Sequence, residues 1–136
     1  RKMLPVLLSS TSYRDLEKRF PYLFEERKKD RSLPAQLNFH ILEHERGFLQ
    51  FAGLPVRYFT YEQGGMKVNG FRFGPLAYVS DIKHFDPVIL QDVAGAEILI
   101  LSALRHETSP MHFTVGDAVE FAEKVGAKET YFTHIA

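Results

Sequence analysis

The chain has 136 residues and no cysteine, and its 17 basic and 17 acidic side chains cancel to a formal net charge of zero. This length predicts one domain, and a hydrophobic content of 45% is enough for a buried core. Zero net charge gives no argument for nucleic acid or an anionic membrane as an obligate partner. Without cysteine, disulfides and thiolate metal sites are excluded, so any metal must take nitrogen and oxygen ligands.

The hydropathy of the chain predicts its cellular location, and its ends indicate that it is part of a longer protein. No apolar run approaches the roughly 20 residues of a membrane span, and these residues show no signal-peptide pattern, so we expect a cytoplasmic protein without membrane contact. The chain begins with Arg1 and ends two residues after His134. We expect that both ends are cut from something longer.

The first predicted elements are a strand and a helix. Lys2 to Leu8 are typical of a short buried strand. The hydroxyl side chains of residues 9–12 are N-cap candidates for a helix that Pro21 would end. The charged run from Glu25 to Ser32 predicts a solvated loop, because acidic residues interrupt the basic ones.

An antiparallel meander is predicted next. Apolar residues alternate from 37 to 42 as on a half-buried antiparallel strand, and residues 48–51 and 56–60 predict two more strands. His40 and His44 lie in this region, four residues apart. On a strand this spacing separates them by about 13 Å, so both are predicted to be surface residues.

The remaining elements alternate between strands and helices. A turn-rich connection is expected from Tyr61 to Gly70. After it the sequence predicts a hairpin of 71–73 and 76–79, a short helix 88–93 after Asp86, a strand 97–102, a helix beginning at Thr114 and a strand 129–132. The buried face of the last helix is expected to comprise Val115, Ala118, Val119, Ala122 and Val125, with Asp117 in a capping box and Gly126 as the stop. This order predicts an α/β layered fold with a mixed sheet.

Two of these strands end on side chains that can bind a metal. Asp81 follows one and His134 follows the other, and the carboxyl ends of such strands meet at one edge of a sheet. Carboxylate and imidazole suit Zn²⁺, Mn²⁺ or Fe²⁺, and water bound to such an ion is a nucleophile near neutral pH. The alternative is that Asp81 caps a helix and His134 satisfies backbone groups.

A polar loop between these strands carries two more histidines. His106 and His112 lie in it, together with Glu107. These residue types fit general acid–base catalysis, in which Glu107 orients a neighbouring imidazole and raises its basicity.

Segments along most of the chain carry a family resemblance. They are Leu4-Pro-Val6, Leu16 to Tyr22, Gly70 to Asp81, Leu99 to His106, His112 to Ala118, Phe121-Ala122, and Tyr131 to His134. In this order they resemble the C-terminal two-thirds of a metallo-β-lactamase-fold hydrolase, of the branch that contains the PhnP-type phosphodiesterases. The resemblance implies an α/β fold, a four-layer αββα sandwich. It also implies that residues 1–136 are a single partial domain, in which the first βα half is missing.

The resemblance also implies a role for each candidate residue. Asp81 would bridge two divalent metal ions, Zn or Mn, in the full-length protein, and His134 would bind the second ion. His112 would lie near the scissile phosphate as an acid or a transition-state stabiliser. His106 and Glu107 are similar to the histidine–glutamate pair of the tRNA 3′-processing endonucleases of this fold, where the pair assists proton transfer.

Two features depart from the family pattern. The main metal motif, His-x-His-x-Asp-His, is expected before Arg1 and is absent from the chain. Gln63 lies where the family usually has histidine, and an amide oxygen is a poor replacement for imidazole on a zinc-type ion. Asp81 and His134 then remain as the metal ligands, fewer than the three of a mononuclear catalytic site. We expect the 136-residue chain alone to show little or no activity.

The expected function of the parent protein is metal-dependent hydrolysis of a small-molecule phosphodiester by a metal-bound hydroxide. One alternative is an RNA 3′-processing-type endonuclease, supported by His106 and Glu107, although no basic arm favours a nucleic-acid partner. The other is a catalytically degenerate relative that binds a ligand or partner, which Gln63 would favour. Because loss of the first half would expose apolar sheet surface, a homo-oligomer is expected.

Overall fold

A computed structural model describes residues 3–24 and 36–136, and the charged run predicted as a loop lies outside the described residues. The elements in chain order are β1 (Leu4–Ser9), α1 (Ser10–Arg19), a 3₁₀ helix (Pro21–Leu23), β2 (Leu37–Leu42), β3 (Arg46–Phe51), β4 (Leu54–Gln63), β5 (Met66–Phe73), β6 (Leu76–Val79), α2 (Val88–Val93), β7 (Ile98–Ser102), α3 (Val115–Val125) and β8 (Glu129–Thr133). They form two compact units, Arg1–His44 and Glu45–Ala136. None of the described helices is long and apolar enough to cross a membrane.

The first unit is a two-stranded sheet with α1. The predicted strand and helix are confirmed, but the expected burial of the strand is wrong, because only Leu8 of β1 is buried. The Ser9 side chain accepts a hydrogen bond from the Ser12 backbone N–H at 3.2 Å and so caps α1. Three aromatic rings, those of Tyr13, Phe24 and Phe39, pack together with centroids 4.9–5.3 Å apart. These edge-to-face and stacked contacts supply apolar packing in this unit.

The antiparallel orientation expected for residues 37–42 is wrong. β2 pairs in parallel with β1, with Leu4 opposite Leu37 and Ser9 opposite Leu42. α1 lies between the two strands in the chain, and a crossover of this kind returns the chain in the same direction. His40 and His44 are both exposed, as the sequence predicted.

The second unit contains a six-stranded mixed sheet in the order β3-β4-β5-β6-β7-β8. Neighbours from β3 to β6 are antiparallel, whereas β6, β7 and β8 are parallel. Strands β4, β6, β7 and β8 therefore run in one direction, and their carboxyl ends lie at the same edge of the sheet. The mixed sheet and the predicted strands and helices of this half are confirmed.

The turn-rich connection expected from Tyr61 to Gly70 is wrong. β4 continues to Gln63 and β5 begins at Met66, so only Gly64 and Gly65 form the turn. Both glycines have positive φ, 55° and 79°, which suits a two-residue hairpin turn whose twist matches the flanking strands. The longer β4 brings Tyr61 and Gln63 into the sheet.

The core of this unit lies between the sheet and the two helices. Its fully buried members come from β4, β6, β7, α2 and α3, and include Phe59, Val79, Ile89, Leu101 and Phe121. The parallel strands β6, β7 and β8 are joined through α2 and α3, as parallel strands require. This packing fixes the strand ends that carry the candidate site.

α3 has the predicted caps but a different buried face. The Thr114 side chain accepts from the Asp117 backbone N–H, and the Asp117 carboxylate accepts from the Thr114 backbone N–H, which completes the capping box. Gly126, at φ 69°, ends the helix. The expectation for Val119 is wrong, because its side chain is 42% exposed, and Phe121 is buried beside Ala118.

Candidate active site

Asp81 and His134 each follow a parallel strand at the common carboxyl edge of the sheet. Asp81 lies two residues after β6, and His134 lies directly after β8. Both have a left-handed backbone, with φ of 52° and 64°. Non-glycine residues rarely adopt this conformation, and it is enriched where function requires it. Because of this left-handed backbone, the side chains of Asp81 and His134 do not continue the alternation of the preceding strand and leave the pleated surface of the sheet.

The structure brings three of the predicted site residues together. Asp81 Oδ1 lies 3.6 Å from His112 Nδ1 and 3.5 Å from His134 Nε2. The two imidazole rings have centroids 6.4 Å apart and an interplanar angle of 25°. Two nitrogen atoms thus approach the same carboxylate oxygen, and all three side chains remain partly exposed to solvent.

Backbone hydrogen bonds join the segments that carry these residues. The Phe113 N–H donates to the Ile82 carbonyl at 2.8 Å, next to His112 and Asp81 respectively. The Leu104 N–H donates to the Phe113 carbonyl at 2.9 Å. The Ala103 N–H donates to Thr133, before His134, also at 2.9 Å. The three residues therefore sit on loops whose backbone polar groups are satisfied by one another.

An ion pair adds a side-chain link between the loop that bears Asp81 and the first turn of α3. Lys83 Nζ donates to Asp117 Oδ2 at 2.7 Å, and Lys83 is mostly buried. The hydrogen bond from Lys83, with a further one from the Thr114 backbone, holds the pKa of Asp117 below its usual range. Since Lys83 follows Asp81 and Thr114 follows His112, each by two residues, the pair strengthens the geometry of the site.

Tyr61 reaches the same place from β4. Its hydroxyl donates to the carbonyl oxygen of Ser80, the residue before Asp81. Burial raises the pKa of the Tyr61 phenol, and the Asp81 charge raises it further. The hydroxyl therefore stays protonated as a donor. Sequence reasoning missed Tyr61 because it was assigned to a connection, although Phe59, Tyr61 and Gln63 alternate as on a strand.

Gln63 lies at the carboxyl end of β4, at the same edge. It is 3% exposed, and its Nε2 has no hydrogen-bond partner among the described residues. A Cβ added to Gly64 would lie 2.2 Å from the Met111 Cε atom, so this turn contacts the loop that bears His112. Gln63 is therefore next to the candidate site, but no described hydrogen bond joins it to Asp81 or a histidine.

His106 and Glu107 stand apart from this group. Both are exposed, and neither has a hydrogen bond or ion pair to any side chain in the described part of the chain. Glu107 thus orients no imidazole among residues 3–24 and 36–136. The structure leaves both side chains facing solvent in the loop that precedes His112.

The donors that are present fit a divalent cation in type and spacing. Ligands about 2.1 Å from a tetrahedral ion lie about 3.4 Å apart, close to the 3.5 Å between Asp81 Oδ1 and His134 Nε2. His112 Nδ1 is buried without a hydrogen-bond partner, as expected of a nitrogen that awaits a cation or proton. Within the described ranges, however, no three His, Asp or Glu side chains form a complete metal shell. The chain supplies part of a site.

Solved structures of similar proteins share this architecture. A diphosphatase of the PhnP family is 31% identical, with a TM-score of 0.82 over 98% of this chain and 48% of that chain. Human tRNase Z, short form, is 16% identical, with a TM-score of 0.65 over 99% of this chain and 62% of that one. The second likeness shows the fold alone. The chain spans about half the length of the diphosphatase.

A curated relative matches over a shorter stretch. The octanoyltransferase of Porphyromonas gingivalis is 23% identical over 88 residues, which is 64% of this chain and 18% of that protein. So small a part of that enzyme carries no activity over to this chain.

A family match covers nearly the whole sequence. Residues 1–135 match the beta-lactamase superfamily domain, a superfamily whose members are typically dependent on divalent metals. With the structural likenesses above, this confirms the α/β metallo-β-lactamase-like fold predicted from the sequence. The chain therefore belongs to the beta-lactamase superfamily and has the metallo-β-lactamase fold of its PhnP-type members.

Proposed function

We propose that the full-length protein is a metal-dependent hydrolase of small phosphodiesters, with two Zn or Mn ions. The observation that carries the proposal is the convergence of His112 and His134 on one oxygen of Asp81. The diphosphatase with 31% identity supports phosphorus–oxygen bond cleavage as the chemistry. The zero net charge favours a small substrate over RNA, whose binding depends on phosphate-neutralising basic side chains.

Asp81 and His134 are the residues of this chain that would hold the metal. When bound, such an ion supplies an acidified water and neutralises charge on the phosphoryl oxygens. The metal motif expected before Arg1 would complete the shell. Gln63 at a position usually occupied by histidine leaves one ligand place open in this chain.

His112 would transfer the proton to the leaving oxygen. Its Nδ1 is buried and faces Asp81, so we assign the transfer to Nε2. The neighbouring carboxylate stabilises the protonated ring, and a neutral imidazole remains after the transfer. Bond cleavage in a phosphodiester requires such a proton because an alkoxide is a poor leaving group.

The test compares metal content and hydrolysis in the full-length protein. We expect about one or two transition-metal ions per chain and hydrolysis of bis(p-nitrophenyl) phosphate. Asp81→Asn should lose both, while Asp15→Asn, an exposed aspartate on α1, should keep both. If the wild-type protein binds no metal and cleaves no ester, the protein is instead a catalytically degenerate relative. Preferential cleavage of a tRNA 3′ trailer would favour the RNA-processing alternative, in which His106 and Glu107 take part.

We also propose that the protein self-associates. Large apolar side chains are exposed on both sides of the β3–β4 hairpin, on β8 and just after it, among them Phe48, Leu54, Tyr131 and Ile135. Exposed apolar surface of this kind marks interfaces between proteins. Sedimentation velocity of the full-length protein should give at least a dimer, and a monomer at micromolar concentration would refute the proposal.

A further inference from the structure

Asp81 has its left-handed backbone held from both sides. The carbonyl of Ser80, before it, accepts a hydrogen bond from the Tyr61 hydroxyl, and the carbonyl of Ile82, after it, accepts from the Phe113 N–H. Asp81 itself has φ 52°. Because this conformation costs an L-residue energy, the surrounding contacts must impose it. The Ser80–Asp81 peptide, which directly precedes the Asp81 Cα, and the Ile82–Lys83 peptide, one residue beyond it, are thus fixed by one bond each.

We propose that Tyr61 is a positioning residue, whose hydroxyl fixes the Ser80–Asp81 peptide so that the Asp81 carboxylate faces His112 and His134. The inference rests on the proposed function, since it takes Asp81 to be a metal ligand. Partners that orient a ligand raise metal affinity because they lower the cost of arranging the ligand.

The hydroxyl, and not the ring, is what this position requires. The Tyr61 ring is 8% exposed and packs in the core beside Phe59, with centroids 6.2 Å apart. A phenylalanine would fill the same space without placing a polar oxygen in the core. A buried hydroxyl is costly unless it is hydrogen-bonded, and the Ser80 carbonyl satisfies it. That acceptor directly precedes Asp81.

The chain offers a matched control in the same strand. Tyr58 is 7% exposed and lies three residues before Tyr61, so it points to the opposite face of β4. Its hydroxyl donates to none of the described residues, and Gly47 lies against its ring. Tyr58→Phe and Tyr61→Phe therefore remove the same atom at equal burial, but only the second removes a bond to the Asp81 peptide.

The experiment is a calorimetric titration of metal-free, full-length protein with Mn²⁺, together with a thermal melt of each metal-free variant. Tyr61→Phe should raise the Mn²⁺ Kd by about 10- to 100-fold. Tyr58→Phe should leave it within about twofold, since independent sites do not couple. Replacement of Tyr61 by 4-aminophenylalanine, which keeps a donor at the para position, should restore the wild-type Kd.

The outcomes separate the two proposals. Wild-type protein without Mn²⁺ affinity would refute the proposed function and this inference with it. Wild-type affinity retained in Tyr61→Phe would refute the inference alone, and so would an equal loss in Tyr58→Phe. Should Tyr61→Phe be unfolded, 4-methylphenylalanine at position 61 keeps the side-chain volume without a donor, and the same shift in Kd is expected of it.

Discussion

The backbone N–H of Phe113 donates to the carbonyl oxygen of Ile82 over 2.8 Å, and each residue directly follows a member of the candidate site. Asp81 and His112 come from loops 31 residues apart in sequence, which this bond fixes against each other. Sites whose side chains are held by such surrounding bonds keep their geometry without a ligand. Mutations of the site residues can therefore be tested by metal content and turnover, and mutations of the surrounding scaffold by unfolding free energy.

Removal of the His112 imidazole should impair turnover more than metal binding. His112→Ala is expected to lower kcat on a small phosphodiester with an alkoxide leaving group by about 10²- to 10⁴-fold, the usual contribution of a general acid. The loss on bis(p-nitrophenyl) phosphate should be much smaller, because nitrophenolate leaves without a proton. The bound metal, measured by mass spectrometry on the same sample, should stay at the wild-type level. His84→Ala, at an exposed histidine, should change neither quantity. Loss of metal from His112→Ala would make His112 a ligand.

The ion pair of Asp117 with Lys83 should make the fold acid-sensitive. The pKa of the Asp117 carboxyl is lowered in the folded state from the ordinary value of 3.8, chiefly by the hydrogen bond from Lys83. Its stabilisation is therefore complete above that value and is lost as pH falls through the lower folded pKa. In urea titrations, the difference in unfolding free energy between wild type and Asp117→Asn should be largest at pH 7 and should decrease below pH 4.

An exposed carboxylate in the same helix serves as the control. Glu120 pairs with Lys124 on the surface of α3, where an ion pair contributes little. Glu120→Gln should leave the unfolding free energy nearly unchanged at every pH. A pH-independent gap for Asp117→Asn would contradict the prediction.

Two glycines at opposite ends of α3 should respond to alanine with opposite signs. Gly126 has φ 69°, so Gly126→Ala should destabilise by about 1–2 kcal/mol despite the open space around it. Gly116 is in the first turn, and a Cβ there would lie 3.7 Å from Thr114 Oγ1, an ordinary contact. Gly116→Ala should stabilise by up to about 1 kcal/mol through the unfolded state. Denaturant unfolding of both variants measures the two changes in unfolding free energy. Changes of the same sign would contradict the prediction.

The buried face of α3 can be tested by two truncations. Phe121 is fully buried and contacts the Phe85 and Phe113 rings, with centroids 5.0 and 5.6 Å away. Phe121→Ala should cost about 3–5 kcal/mol in unfolding free energy. Val119 is exposed, and Val119→Ala should change stability by less than about 0.5 kcal/mol. Similar losses for the two variants would mean that the helix presents another face.

The sequence predicted most elements of the fold because their signals are local. Capping residues marked the starts of α1 and α3, Pro21 and Gly126 marked their ends, and period-two alternation marked the strands. Alternation assigns faces but names neither the partner strand nor its direction, so β2 was paired wrongly. The Gly64–Gly65 turn lies within a segment whose composition predicts a long loop, and this hides the last residues of β4. The first error concerns a non-local pairing, whereas the second concerns a local hairpin turn.

The candidate site was predictable where a residue ends a strand, and for His112 where a polar loop carries a histidine. Asp81 and His134 follow apolar runs, and the common edge of parallel strands brought them together. Tyr61 acts from a strand two places away in the sheet, and a hydrogen bond to a backbone carbonyl leaves no pattern in the sequence. His106 and Glu107 are the opposite case: their sequence motif predicts a catalytic pair, but neither side chain has a partner among the described residues. Roles in catalysis remain predictions for all of these residues.

The left-handed backbone of Asp81 and His134 has a consequence for protein engineering. Only glycine occupies that region without penalty, so replacing either residue by glycine relieves strain where the carboxylate and imidazole meet. A screen for heat resistance alone would then favour glycine at positions 81 and 134. It would enrich well-folded proteins that have discarded their ligands, so any such selection must retain metal or substrate as a second criterion.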